Sequence, residues 1–150
     1  MGRFRVDFVK LQKIPDGAWV FVGGGSGALL RWILGLILPG SAPLTTWGIN
    51  VLGAFLLSAL LTVLPLRGSD DGARRALRLL LGTGVLGGFT TYSSFMVQSV
   101  ELARENFFGF ALYCAGTLMC GVLACAAGVR LGGLLGPGRG AERGGRRWAC

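Results

Sequence analysis

Three long stretches of the chain carry almost no charge. Between Asp16 and Arg67 the only charged residue is Arg31, and none occurs from Leu79 to Val100 or from Asn106 to Val129. A soluble helix or strand of that length needs a wet face, and these stretches have no charged residues to make one. Charged residues are 15% of the chain, against roughly 25% in a typical soluble domain. The sequence therefore reads as an integral membrane protein of one domain. There is no His, which excludes histidine metal sites, Ser-His triads and Cys-His dyads. No P-loop and no strand-borne GxGxxG is present, so nucleotide binding has no support. No enzymatic constellation emerges.

A bilayer core of about 30 Å needs about 20 apolar residues per helix. Four runs qualify: Ala18 to Leu38, Thr46 to Leu64, Leu77 to Val100 and Phe107 to Leu135. The expected fold is an all-α membrane protein of four transmembrane helices, the third broken in the middle. The expected organisation is a cytoplasmic segment at 1–17, a four-helix domain at 18–135 and a basic tail at 136–150. The first run carries a mid-segment arginine and is too long for a signal-peptide core. Pro39 to Thr45 leaves room only for a tight turn. The Gly/Arg-rich tail reads as a disordered, positive-inside segment rather than a nucleic-acid arm.

Counting Lys and Arg by side orients the chain. One side holds Arg3, Arg5, Lys10, Lys13, Arg67, Arg74, Arg75, Arg78, Arg130, Arg139, Arg143, Arg146 and Arg147. The other holds Arg104 alone, and Arg31 is intramembrane. The positive-inside rule places both termini in the cytoplasm. Cys114, Cys120 and Cys125 match no zinc spacing and read as small apolar residues. A disulfide at Cys150 on the cytoplasmic side is not expected.

Polar groups inside a membrane need a reason. Gly23 and Gly27 are a small-xxx-small pair that lets another helix approach. Arg31 either snorkels to an interface or holds carbonyls at a helix break. Thr46, Asn50 and Gly53 share one helix face. Asn50 is either interhelical glue, worth roughly 1 kcal/mol, or a donor to a dehydrating anion. The third run contains Gly87-Gly88-Phe89-Thr90-Thr91-Tyr92-Ser93-Ser94-Phe95. Two glycines before two β-branched threonines make a poor helix centre, which can unwind and free carbonyls that suit a hard cation such as Na⁺. Tyr92 and Phe95 face the same way, and their electropositive edges can touch an anion. Core packing is the bland alternative for both rings. Tyr113 and Thr117 add an i, i+4 pair in the fourth run. The resulting set of neutral donors is Thr46, Asn50, Ser93, Ser94, Tyr113 and Thr117, with no acid deep in any span. Such a track suits a small anion that must leave as easily as it enters.

At these residues the sequence resembles the Fluc (CrcB-type) fluoride channels. Gly23-Gly24-Gly25-Ser26-Gly27-Ala28 with Arg31-Trp32 is similar to that family's GGxxGAxxR motif. Thr46 through Gly53 resembles its TxxxNxxG motif, and Gly87 through Phe95 its GGxTTFSTF motif. The resemblance implies a small antiparallel dimer that exports fluoride passively through two pores. It implies a structural Na⁺, not transported, on the backbone oxygens of Gly87 and Thr90. It implies pore roles for Tyr92, Phe95 and Asn50, and less directly for Tyr113 and Thr117; the donor track read from the residues adds Thr46 and Ser94 to the anion pathway. The family usually has Phe at the position of Tyr92, and frequently Glu at that of Gln98. Fluoride and membrane lipid are the expected ligands, and the cell membrane the expected location. Two other readings compete: a small four-helix multidrug transporter, which would need a glutamate in its first helix, and a non-conducting partner subunit. The thirteen-to-one charge bias further suggests that a paralogous chain of opposite orientation supplies the inverted half of the dimer.

Overall fold

The structure, a computed structural model, describes residues 14–38, 40–67, 70 and 72–135. Pro39, the first thirteen residues and the tail from Gly136 to Cys150 lie outside the described residues. So do eight of the thirteen basic residues counted above, and Cys150.

Helix α1 spans Asp16–Ile37. Asp16 in its first turn complements the positive end of the helix dipole and pairs with Arg75. The helix stops because Leu38 precedes Pro39, and a proline disfavours αR geometry in the residue before it. Leu38 is accordingly extended, with φ −80° and ψ 119°. Helix α2 spans Ala42–Leu66, longer at both ends than the apolar run suggests. Pro43 sits in the first turn, where a helix has no use for the missing N–H. Pro65 falls in the last turn, where its missing N–H leaves the Leu61 carbonyl without its helical donor and the helix ends one residue later. The N–H of Arg67 closes the end on Leu64 and Pro65 carbonyls.

The third segment is not one regular helix. It begins as α3 (Gly72–Leu77), widens into a π-helix over Arg78–Leu86, and narrows to a last α-turn, α4 (Gly87–Phe89). Gly72 has φ +48°, which suits a residue without Cβ. Helical geometry stops at Thr90, whose φ −73° and ψ 156° are extended, and resumes as α5 (Ser93–Glu105). Gly87 and Gly88 themselves are helical, contrary to the expectation that the glycines unwind. The missing side chain of Gly88 serves packing instead: a Cβ there would press onto the backbone of Gly24, whereas one on Gly87 would meet no atom within 4 Å. The interruption falls three residues later, at Thr90 to Tyr92. Helix α6 spans Phe107–Leu135. Its free N-terminus is capped by Asn106, whose Oδ1 accepts from Phe108 N at 2.9 Å.

Two seams hold these elements together. Gly23 and Gly27 of α1 lie against the backbone of Leu80, Gly84, Val85 and Phe89. Gly128 and Gly132 of α6 lie against Phe55, Ser58, Ala59 and Thr62 of α2. Elements adjacent in sequence, α1 and α2, hardly touch. At the end of the molecule where α1 begins, Arg78 donates to both carboxylate oxygens of Asp70, at 3.0 and 3.1 Å. The guanidinium holds the exposed Asp70 carboxyl below its ordinary range.

Among the described residues only Ile49, Leu86 and Phe89 are buried large apolar side chains, and most Leu, Phe and Val side chains face outward. Water would penalise such a surface and hydrocarbon would not. Helices α1, α2 and α6 are long and apolar enough to cross a membrane. The chain is an all-helical, multi-pass membrane protein.

Candidate functional site

The interruption at Thr90 to Tyr92 leaves backbone groups that no helix satisfies, and side chains from the neighbouring helices take up several of them. Asn50 of α2 faces Thr91. Its Nδ2 donates to the Thr91 carbonyl at 2.9 Å, and its Oδ1 accepts from the Thr91 N–H at 2.9 Å. Arg31 of α1 reaches from the opposite flank, with Nε donating to the Gly88 carbonyl at 3.4 Å. Of the two roles open to Arg31, the structure places it on the carbonyl. A cation at the C-terminal end of a half-helix also complements its dipole. The Thr91 hydroxyl accepts from Ser94 N and bonds the Ser94 hydroxyl, both at 3.2 Å, which caps the start of α5. Gly53 sits one turn beyond Asn50; a Cβ there would lie 3.7 Å from the Phe89 ring and collide with the Thr90 methyl.

A second polar chain crosses three helices. The hydroxyl of Tyr113 (α6) donates to Gln98 Oε1 at 2.9 Å, and Gln98 Nε2 (α5) donates to Thr46 Oγ1 (α2) at 2.9 Å. Thr46 and Gln98 are buried. Every polar atom in this chain has a partner, as buried polar groups require. The aromatic rings run alongside: Tyr92 and Phe95 have centroids 6.2 Å apart, Phe95 and Tyr113 5.4 Å.

Two open cavities flank the Asn50–Thr91 contact, and Thr91 borders both. One, of about 370 Å³, is lined by Arg31, Thr45, Thr46, Ser94 and Gln98 among others. The other, of about 390 Å³, is lined by Asn50, Gly53, Thr90, Tyr92, Phe95 and Thr117 among others. The structure therefore gathers Asn50, Tyr92, Phe95 and Thr117 on one cavity and Thr46 and Ser94 on the other. Tyr113 lines neither; it anchors Gln98 and stacks on Phe95. The Thr117 hydroxyl donates back to the Tyr113 carbonyl at 2.7 Å.

Sequence reasoning missed the parts played by Thr91 and Gln98. Thr91, Ser94 and Gln98 stand at i, i+3 and i+7, the spacing of one helix face. That face was the available signal. The backbone oxygens of Gly87 and Thr90 have no hydrogen-bond donor among the described residues. Carbonyl oxygens are the ligand type a hard cation takes, so the chemistry of these two groups fits a sodium ion. No group of His, Cys, Asp or Glu suited to a metal occurs among the described residues.

The helices and these contacts define a small multi-pass α-helical membrane protein whose interior polarity is carried by neutral amides and hydroxyls beside Arg31. A family model described as "CrcB-like protein, Camphor Resistance (CrcB)" matches residues 18–129. The chain belongs to the CrcB family. It is 48% identical to a protein of Leifsonia xyli subsp. xyli named "Fluoride-specific ion channel FluC 2", over 81% of this chain and 86% of the relative. It is 40% identical to "Fluoride-specific ion channel FluC 1" of Cutibacterium acnes, over 71% and 81%. It is 41% identical to a "Fluoride-specific ion channel FluC" of Thermus thermophilus, over 77% and 94%.

Proposed function

We propose that this chain is a subunit of a fluoride channel that lets fluoride leave the cytoplasm passively and so lowers its toxicity. The observation that carries the reading is the neutral interior. Amide, hydroxyl and ring-edge groups flank the interruption, and the one intramembrane cation, Arg31, is engaged with a carbonyl. Neutral donors can replace part of a fluoride ion's hydration without holding it too tightly to leave. The names of the relatives supply the ion. The multidrug-transporter reading loses support, because the only acid in α1 is Asp16 at its first residue, paired with Arg75.

In this reading Gly72 to Glu105 forms a single broken span, the third of four in the membrane, and two copies lie antiparallel. Asn50, Tyr92, Phe95 and Thr117 line the anion pathway on one cavity, with Thr46 and Ser94 on the other. Gly87 and Thr90 oxygens from both copies would hold sodium at the centre, where it supplies fixed positive charge between the half-helix ends. The test is flux. Liposomes containing the purified protein should release fluoride at least about a hundredfold faster than chloride, a barrier difference of roughly 2.8 kcal/mol. Equal fluxes of the two halides would refute the reading.

The charge bias carries a second element. Thirteen basic residues on one side and one on the other orient the chain with both termini in the cytoplasm of the cell membrane. Antiparallel pairing then calls for a paralogous subunit inserted the other way. Relatives named FluC 1 and FluC 2 fit a two-chain arrangement. The second reading is a non-conducting subunit that supports such a partner, which Tyr92 favours because its hydroxyl stands where the family usually has Phe. A reporter fused after Cys150 should score almost wholly cytoplasmic when this chain is expressed alone. An even split between the two sides would remove the need for a partner.

A further inference from the structure

The hydrogen bonds around Thr91 have a consequence for two other backbone groups. In a continuous α-helix the Thr91 N–H would donate to the Gly87 carbonyl, and the Thr91 carbonyl would accept from the Phe95 N–H. Neither bond is present. Asn50 Oδ1 has taken the first donor and Asn50 Nδ2 the second acceptor, each at 2.9 Å. A primary amide presents the same donor and acceptor as a peptide group, so one side chain stands in for both helical partners. The next helical bond, from Met96 N to the Tyr92 carbonyl at 2.9 Å, is intact. The vacated groups are the Gly87 carbonyl and the Phe95 N–H, which have no other partner among the described residues.

We infer that Asn50 is a positioning residue that holds the third segment open, freeing the Gly87 oxygen on one side of Thr91 and the Phe95 N–H on the other. This rests on the reading of Gly87 and Thr90 as sodium ligands and deepens it: a residue that touches no cation makes one of the cation's ligands available. The same peptide unit carries the Thr90 carbonyl and the Thr91 N–H. Charge placed on the oxygen therefore polarises the N–H toward Asn50, and the two contacts strengthen each other. A leucine at position 50 fills the space and offers no hydrogen bond. The Thr91 N–H then returns to Gly87, and the helix closes over the ligand.

The experiment uses the purified dimer in detergent, with sodium replaced stepwise by N-methylglucamine and thermal stability as the readout. Wild-type protein should gain stability with sodium. Asn50→Leu should raise the sodium concentration for half the effect by at least about tenfold, within the usual range of couplings between sites. Asn50→Asp keeps an oxygen for the Thr91 N–H, so its half-effect concentration should stay near that of the wild type. A folded, dimeric Asn50→Leu with the wild-type sodium response overturns the inference. Should that variant fail to fold, amide exchange in the wild type decides. The Phe95 amide should exchange at least about tenfold faster than the bonded Met96 amide, and equal protection overturns the proposal. A wild-type protein indifferent to sodium would instead refute the sodium site, while the exchange contrast still decides the role of Asn50.

Discussion

Gly27→Val should leave no folded protein. A Cβ at Gly27 would press onto the Val85 carbonyl and stand 2.8 Å from Phe89 N. Both neighbours are backbone, so no rotamer change relieves the clash. Ordinary overpacking costs about 1–3 kcal/mol because side chains can yield. Here α1 would have to move off the third segment, and a loss of at least about 3 kcal/mol is expected. The displaced segment carries Gly88, which Arg31 holds, and Phe89 and Thr90, which pack on Gly53. Separation at Gly27 therefore dismantles the interruption as well. Size-exclusion chromatography in mild detergent should give aggregate or nothing. Gly25 of the same helix has no atom within 4 Å of an added Cβ in the protomer. Gly25→Ala should stay folded and change stability by less than about 1 kcal/mol. A monodisperse, active Gly27→Val would mean that the seam between α1 and the third segment is wrongly placed.

Gln98→Leu is the second large effect. The amide stands between Tyr113 and Thr46, and its removal strands a phenol and a hydroxyl. A buried orphan such as Thr46 costs about 1–3 kcal/mol, and the part-buried Tyr113 hydroxyl costs less. A total near 2–4 kcal/mol is expected, since Thr46 can turn its hydroxyl toward a backbone carbonyl one turn away. Loosening Tyr113 also frees the ring packed on Phe95, so fluoride flux should fall with stability. Gln98→Glu is the informative contrast. A carboxyl oxygen still accepts from Tyr113, and the Thr46 hydroxyl can reverse and donate to the other oxygen. That variant should remain folded in thermal unfolding, with Gln98→Leu clearly below it. Equal stability of the leucine variant and the wild type would show that the three-residue chain is incidental.

The contrast between these sites marks what could be read from residues alone. The apolar runs made the helical, membrane-spanning class legible, because hydrocarbon tolerates little else. The shared face of Thr46, Asn50 and Gly53 was legible from spacing, and so was the close approach allowed by Gly23 and Gly27. The π-helix over Arg78–Leu86 was not. Between Arg78 and Leu86 the one polar residue is Thr83, too few to mark a period, so α and π winding look alike in sequence. The partner of Tyr113 was hidden for a related reason. Helix α6 is apolar all round, and its rotation about its own axis is set by Gly128 and Gly132 meeting α2, which spacing alone does not report. The glycines before Thr90 have the look of flexible joints in the sequence. The structure uses Gly88 for contact, and the unwinding follows from the outside partners that Asn50 and Arg31 offer to the backbone.

The pairing order has a consequence for how the chain is made. Helices emerge from synthesis in sequence, N-terminal first, yet α1 packs on the third segment and α2 on α6. The first two helices thus enter the lipid side by side without belonging together. The α2 groove around Ser58 and Thr62 waits until the last helix arrives. During that interval both hydroxyls keep local bonds, Ser58 to the Phe55 carbonyl at 2.9 Å and Thr62 to the Ser58 carbonyl at 2.7 Å. They therefore face hydrocarbon without an unsatisfied donor. On this face the waiting helix is self-sufficient; Asn50, on the face toward the third segment, finds its partner only when Thr91 arrives.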